Sequence, residues 1–187
     1  MDKHQKHTHL QRRKTDNFAP NEIAFLGTNC TIILSLVQHI SEKLSNYKLG
    51  YFDASHDKDE NPNSLSSFTF HHEGNVQINT SKTVNTYQQK LDFAQFDLVF
   101  INGNHFEGVK QILILDEEKE ASVLKRIHQL QDIQFIIKLK NETEIFPFLM
   151  EKYPKIKELQ YYSIDEIDKI SHHIQQLIRQ RIAPIKG

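Results

Sequence analysis

The stretch from Phe96 to Asp116 constrains the fold most. Two unbroken apolar runs, Leu98-Val99-Phe100-Ile101 and Ile112-Leu113-Ile114-Leu115, flank the polar segment Asn102-Gly103-Asn104-His105-Phe106-Glu107-Gly108. Apolar runs this short, bounded by Gly and Asn, read as strands covered on both faces. In open α/β sheets, ligands sit beyond the carboxyl ends of the strands. That edge makes Asn102, Asn104 and His105 candidate cleft residues, with Gly103 and Gly108 relaxing the backbone. A surface turn between two strands has much the same composition. The link 103–109 is too short for a helical crossover, so by length alone the second run is free to lie antiparallel to the first.

The rest of the chain alternates strands and helices. Glu22-Ile23-Ala24-Phe25-Leu26-Gly27 reads as the first buried strand, followed by a tight turn at Thr28, Asn29 and Cys30. A helix follows over 31–44, with Ile33, Leu36, Val37, Ile40 and Leu44 on one face and Asn29 or Thr31 as N-cap. Residues 48–53 form a second strand ending in the polar Asp53-Ala54-Ser55-His56. A charged loop at 57–66 leads to a hairpin pattern at 67–79 with one exposed face. His71 and His72 are adjacent in it, so they point to opposite faces and are not a shared metal site. The pattern then predicts a helix over 84–95 with Tyr87, Leu91 and Ala94 inward, and after the central pair a long amphipathic helix over 117–131 with Ala121, Leu124, Ile127, His128 and Leu130 inward. A strand at 133–139, a short helix at 144–152, a strand at 159–162 and a final helix follow; Ser163-Ile164-Asp165-Glu166 looks like the capping box that opens the last of these. The fold class is therefore α/β, a mostly parallel sheet flanked by helices with a β-hairpin insertion.

Composition narrows the function. The 187 residues suit one domain with a real core. Lys+Arg number 23 against Asp+Glu 24, a net charge of −1, which asks for neither nucleic acid nor anionic membrane as a partner. No apolar run approaches the ~20 residues of a membrane span, and the first residues lack a signal-peptide core. A cytoplasmic protein is expected. The single Cys30 excludes an internal disulfide and Cys-cluster zinc sites. Residues 1–20 form a basic arm, read as flexible and dispensable for folding. His4, His7 and His9 in it have no carboxylate or Cys spaced to complete a metal site. Residues 21–183 are the domain, and 184–187 a linker.

The strand–turn–helix at 22–44 occupies the place of a P-loop, where helix N–H groups meet phosphate. The Walker pattern G-x-x-x-x-G-K-[ST] requires its second Gly, its Lys and its hydroxyl. Against Gly27-Thr28-Asn29-Cys30-Thr31-Ile32-Ile33-Leu34, those three positions hold Ile32, Ile33 and Leu34. What remains is a loose anion seat at Gly27, Thr28, Asn29, Cys30 and Thr31. Cys30 is readable either as a low-pKa thiol or as a buried structural one. Asp53, His56, Asn102, Asn104 and His105 lie at two strand ends that have room to converge. No catalytic residue is assigned.

On these residues a resemblance can be given. Ile23-Ala24-Phe25-Leu26-Gly27, Phe96-Asp97-Leu98-Val99-Phe100-Ile101-Asn102-Gly103 and Lys110-Gln111-Ile112-Leu113-Ile114-Leu115-Asp116 resemble the molybdopterin-guanine dinucleotide biosynthesis B-protein family, over 21–173. The chain looks most like the divergent copy fused, in Bacteroidetes-type proteins, ahead of a molybdenum cofactor guanylyltransferase. The family typically ends its second motif in Glu-Gly, where this chain has Asn102-Gly103. The guanylyltransferase signature Leu-Ala-Gly-Gly is absent from Ala183-Pro184-Ile185-Lys186-Gly187. The resemblance implies a P-loop NTPase-like fold and a GTP and Mg site, degenerate here. It also implies a guanylyltransferase partner in cis or in trans, and leaves a homodimer open. The first expectation is a non-catalytic accessory domain for cofactor guanylylation. The alternatives are a guanine-nucleotide-binding enzyme using Asp53, His56, Asn104 and His105, or a stand-alone interaction module.

Overall fold

The computed structural model describes residues 21–53, 67–70, 76–79, 86–103, 105, 106 and 108–182. The arm, the linker, the loop 57–66, His71 and His72 lie outside them, as do His56, Asn104 and Glu107. An eight-stranded sheet runs through the centre. Its strands are β1 (Glu22–Leu26), β2 (Leu49–Asp53), β3 (Ser67–Phe70), β4 (Val76–Asn79), β5 (Leu98–Asn102), β6 (Lys110–Leu115), β7 (Ile133–Lys138) and β8 (Tyr161–Ser163). Their order is β3-β4-β2-β5-β1-β6-β7-β8. Every neighbouring pair is parallel except β3 with β4. The expected hairpin is β3 with β4: β4 extends the sheet beside β2, and β3 closes the edge.

Alternation of side chains along the strands separates two faces. On one face Ile23, Phe25, Phe100, Ile112 and Ile114 pack against α1 (Cys30–Lys43) and α5 (Ile167–Ile182). The helix-period residues foreseen for α1 are all buried, as are Ile170, Ile174, Leu177 and Ile178 of α5. Glu166 accepts the Ser163 N–H at 2.8 Å, one half of the expected capping box. That bond and the Lys169 ammonium hold the Glu166 carboxyl below its usual range, with Lys169 the larger influence. On the opposite face, Leu113, Leu115 and Ile136 pack with Val123, Leu130, Phe146, Leu149 and Ile156.

The connection from β5 to β6 has the direction that length alone left open. Both strands run parallel to β1, which lies between them. The chain therefore returns from the carboxyl edge to the amino edge without a helix. Seven residues, extended, reach about 24 Å, more than the length of a five-residue strand, so a coil suffices. Phe106 and Val109 pack in this crossing against Ala24, Phe52, Phe93 and Ile101.

Three helices differ from their sequence pattern. α2 spans Thr86–Phe93 and buries Phe93, whereas Leu91 and Ala94 are exposed. The Phe93 ring sits 5.6 Å from Phe52 and 6.3 Å from Phe106, and burying that larger apolar area rotates the helix. The segment 117–131 is not one helix. A 3-10 turn at Glu117–Lys119 leads into α3 (Glu120–Lys125), and a second 3-10 turn follows at Ile127–Gln129. Val123 and Leu130 face inward, while Ala121, Leu124 and His128 are exposed. Val123, Ile127 and Leu130 form a competing i, i+4, i+7 stripe, and that stripe meets the sheet. α4 begins at Pro147 rather than 144 and runs to Lys152, because proline suits a first helical position where no N–H is required. A 3-10 turn at Pro154–Glu158 moves the last strand to Tyr161–Ser163.

Candidate functional site

The β1–α1 turn is built around Gly27, whose φ is +101°. A Cβ there would stand 2.2 Å from the Ile114 carbonyl oxygen, so only glycine lets β1 leave the sheet this close to β6. Thr28 then donates its hydroxyl to Asp116 Oδ2 at 2.6 Å. The buried Asp116 also accepts the Glu118 N–H at 3.0 Å, so one carboxylate ties the turn to the start of the β6–β7 connection. Helix α1 begins at Cys30, three residues after Gly27, and Ile33 N–H already bonds to the Asn29 carbonyl at 3.1 Å. In a Walker motif the wrapped loop runs to the second glycine, where the helix opens; here α1 has begun at Cys30, before that position, Ile32. Ile33, at the Lys position, is 2 % exposed in the core. Asn29 holds the N-cap position without a side-chain bond, and Cys30 is an exposed free thiol rather than a buried one.

Asn102 gathers the neighbouring strand end. Its side-chain N–H groups donate to Tyr51 Oη at 3.0 Å and Asp53 Oδ2 at 3.1 Å, and its backbone oxygen lies 2.9 Å from His105 Nε2. Burial, with the Asp53 charge second, pushes the Tyr51 phenol well above its ordinary pKa, so Tyr51 stays a neutral partner. Gly103, at φ +87°, turns the chain back so that the His105 ring lies over it and edge-on to Phe52 at 5.9 Å.

A cleft of about 300 Å³ opens at this carboxyl edge. Gly27, Thr28, Asn29 and Cys30 form one wall, and Asn102, Gly103 and His105 another. Thr31 is exposed one residue further along α1. Asp53 stays beside Asn102, outside the cleft lining. The convergence expected of Asp53 and His105 is thus through Asn102, by its side chain and its carbonyl respectively. The third wall was not foreseen: Lys119, Ser122 and Arg126, with Gln129 below them. Their i, i+3, i+7 spacing was the signal for a common face. It was masked by the stronger apolar pattern.

These features define a P-loop NTPase-like α/β frame with a closed β1–α1 turn. No protein-family model matches the chain, and no curated protein does. Among solved structures, the MobB protein homolog from Bacillus stearothermophilus is similar to it at 14% identity, covering 86% of this chain and 99% of that one, with a TM-score of 0.51. Bacillus subtilis MobB is similar at 18% identity, with 81% and 96% covered and a TM-score of 0.47. A molybdopterin-guanine biosynthesis protein B (mobB) structure is similar at 13% identity, with 84% and 99% covered and a TM-score of 0.47. The likeness is one of fold.

Proposed function

We propose that this chain is a non-catalytic accessory domain in molybdopterin guanine dinucleotide synthesis, acting on a guanylyltransferase in cis or in trans. The observation that carries the reading is the β1–α1 turn. It keeps the frame of a phosphate-binding strand–turn–helix, yet Thr28 is engaged by Asp116 and Ile33 is in the core. Asn102, where the resembling family has an acidic residue, is engaged with Tyr51 and Asp53. The fold likeness to the MobB protein homolog and the residue resemblance at 23–27, 96–103 and 110–116 support the pathway.

The test is GMP transfer by the guanylyltransferase of the same organism, assayed with and without the full chain. The expected result is co-elution of the two proteins and a several-fold higher transfer rate, with no transfer by the chain alone. An unchanged rate and no co-elution would remove this reading.

A further inference from the structure

The β6–β7 connection places fixed positive charge where the β1–α1 turn has none. Lys119 and Arg126 both line the cleft at the carboxyl edge, and among the described residues no Asp or Glu lines it. Neither cation has a carboxylate within ion-pair distance among the described residues. Arg126 donates through Nη2 to Ser122 Oγ at 2.7 Å, which orients its guanidinium along the wall. Below these groups the floor is apolar: Leu26, Leu113, Val123 and Leu130.

We infer that this cleft binds a phosphate monoester with an apolar or aromatic body, without a metal ion, through Arg126 and Lys119. Charge selects the head group. A phosphate monoester carries roughly −1.5 to −2 at neutral pH, which two fixed cations balance, whereas the Mg²⁺ that accompanies a triphosphate is usually held by one or two carboxylates, and among the described residues none lines the cleft. Guanidinium suits the head because its planar fork meets two phosphate oxygens at once. Size selects the body. A cleft of about 300 Å³ is at the small end of ligand sites, enough for one ring system and one phosphate. A second hollow of about 310 Å³ shares His105 and Gln129 with the first and continues down the sheet face past Phe106 and His128. The inference is independent of the role in cofactor synthesis, since it uses neither a partner protein nor guanine.

Calorimetric titration of the full chain in EDTA tests it. The probes are phenyl phosphate and the 5′-monophosphates of adenosine, guanosine, cytidine and uridine, with phenol, the nucleosides and inorganic phosphate alongside. At least one monoester is expected to bind, its phosphate-free counterpart about tenfold or more weaker, with Arg126→Ala costing about tenfold and the Lys119→Ala/Arg126→Ala pair abolishing binding. Both side chains reach solvent, so the melting temperature of the variants should hold, and circular dichroism checks this. No binding by any monoester, equal binding of the phosphate-free bodies, or undiminished binding by the folded double variant would overturn the site. Monoester binding without stimulation of the guanylyltransferase would keep the site and remove the accessory role.

Discussion

Gly27→Ala is expected to destabilise the domain by about 4 kcal/mol, combining backbone strain of about 1–3 with steric overpacking of about 1–3. At φ +101° an L side chain is strained whatever the space. The added Cβ would also meet a backbone oxygen, Ile114 O, at 2.2 Å, and a backbone atom in the central sheet does not swing aside as a side-chain tip does. Gly108→Ala is the control: its φ is +74° but a Cβ there meets nothing within 4 Å, so strain alone applies, about 1–2 kcal/mol. Urea unfolding of the two variants should separate them clearly. Equal, small losses would mean that β1 leaves the sheet with room to spare, and the closed turn would not stand.

Leu36→Ala should cost about 2–5 kcal/mol, the range for a buried leucine truncation. Leu36 is 2 % exposed, on the face of α1 that packs the sheet with Ile33, Val37 and Ile40. The same change at Leu124, 49 % exposed, should stay within about 0.5 kcal/mol. Thermal and urea unfolding of the pair check both. A loss at Leu36 no larger than at Leu124 would take α1 out of the core and with it the whole placement of the cleft.

The frame was legible where one periodicity had no rival. Leu98 to Ile101 and Ile112 to Leu115 are apolar at every position, and both lie in the sheet interior. The helix face from Ile33 to Leu44 was equally plain. Legibility failed where two stripes competed, as at Leu124 against Val123, and where ring area decided the rotation, as at Phe93. It failed also where topology mattered more than length. The short link after Asn102 left the direction of β6 open, because the intervening strand β1 precedes both in the chain by more than seventy residues. For the site, the missing Walker residues were visible, but the burial of position 33 was not: helix α1 begins at Cys30 and places Ile33 in the core with Leu36 and Val37, at the edge of the cleft. Lys119 and Arg126 were hidden in a segment read as a single helix facing the other way.

A β1–α1 turn closed in this way is expected to exclude Mg·GTP. Calorimetric titration of the unmodified chain with Mg·GTP, and with GTP in EDTA, measures this directly. No tight binding and no gain from Mg²⁺ are expected, because no lysine stands at position 33, Thr28 is held by Asp116, and Asn102 is an amide. Micromolar binding of GTP that requires Mg²⁺ and survives Arg126→Ala would contradict it.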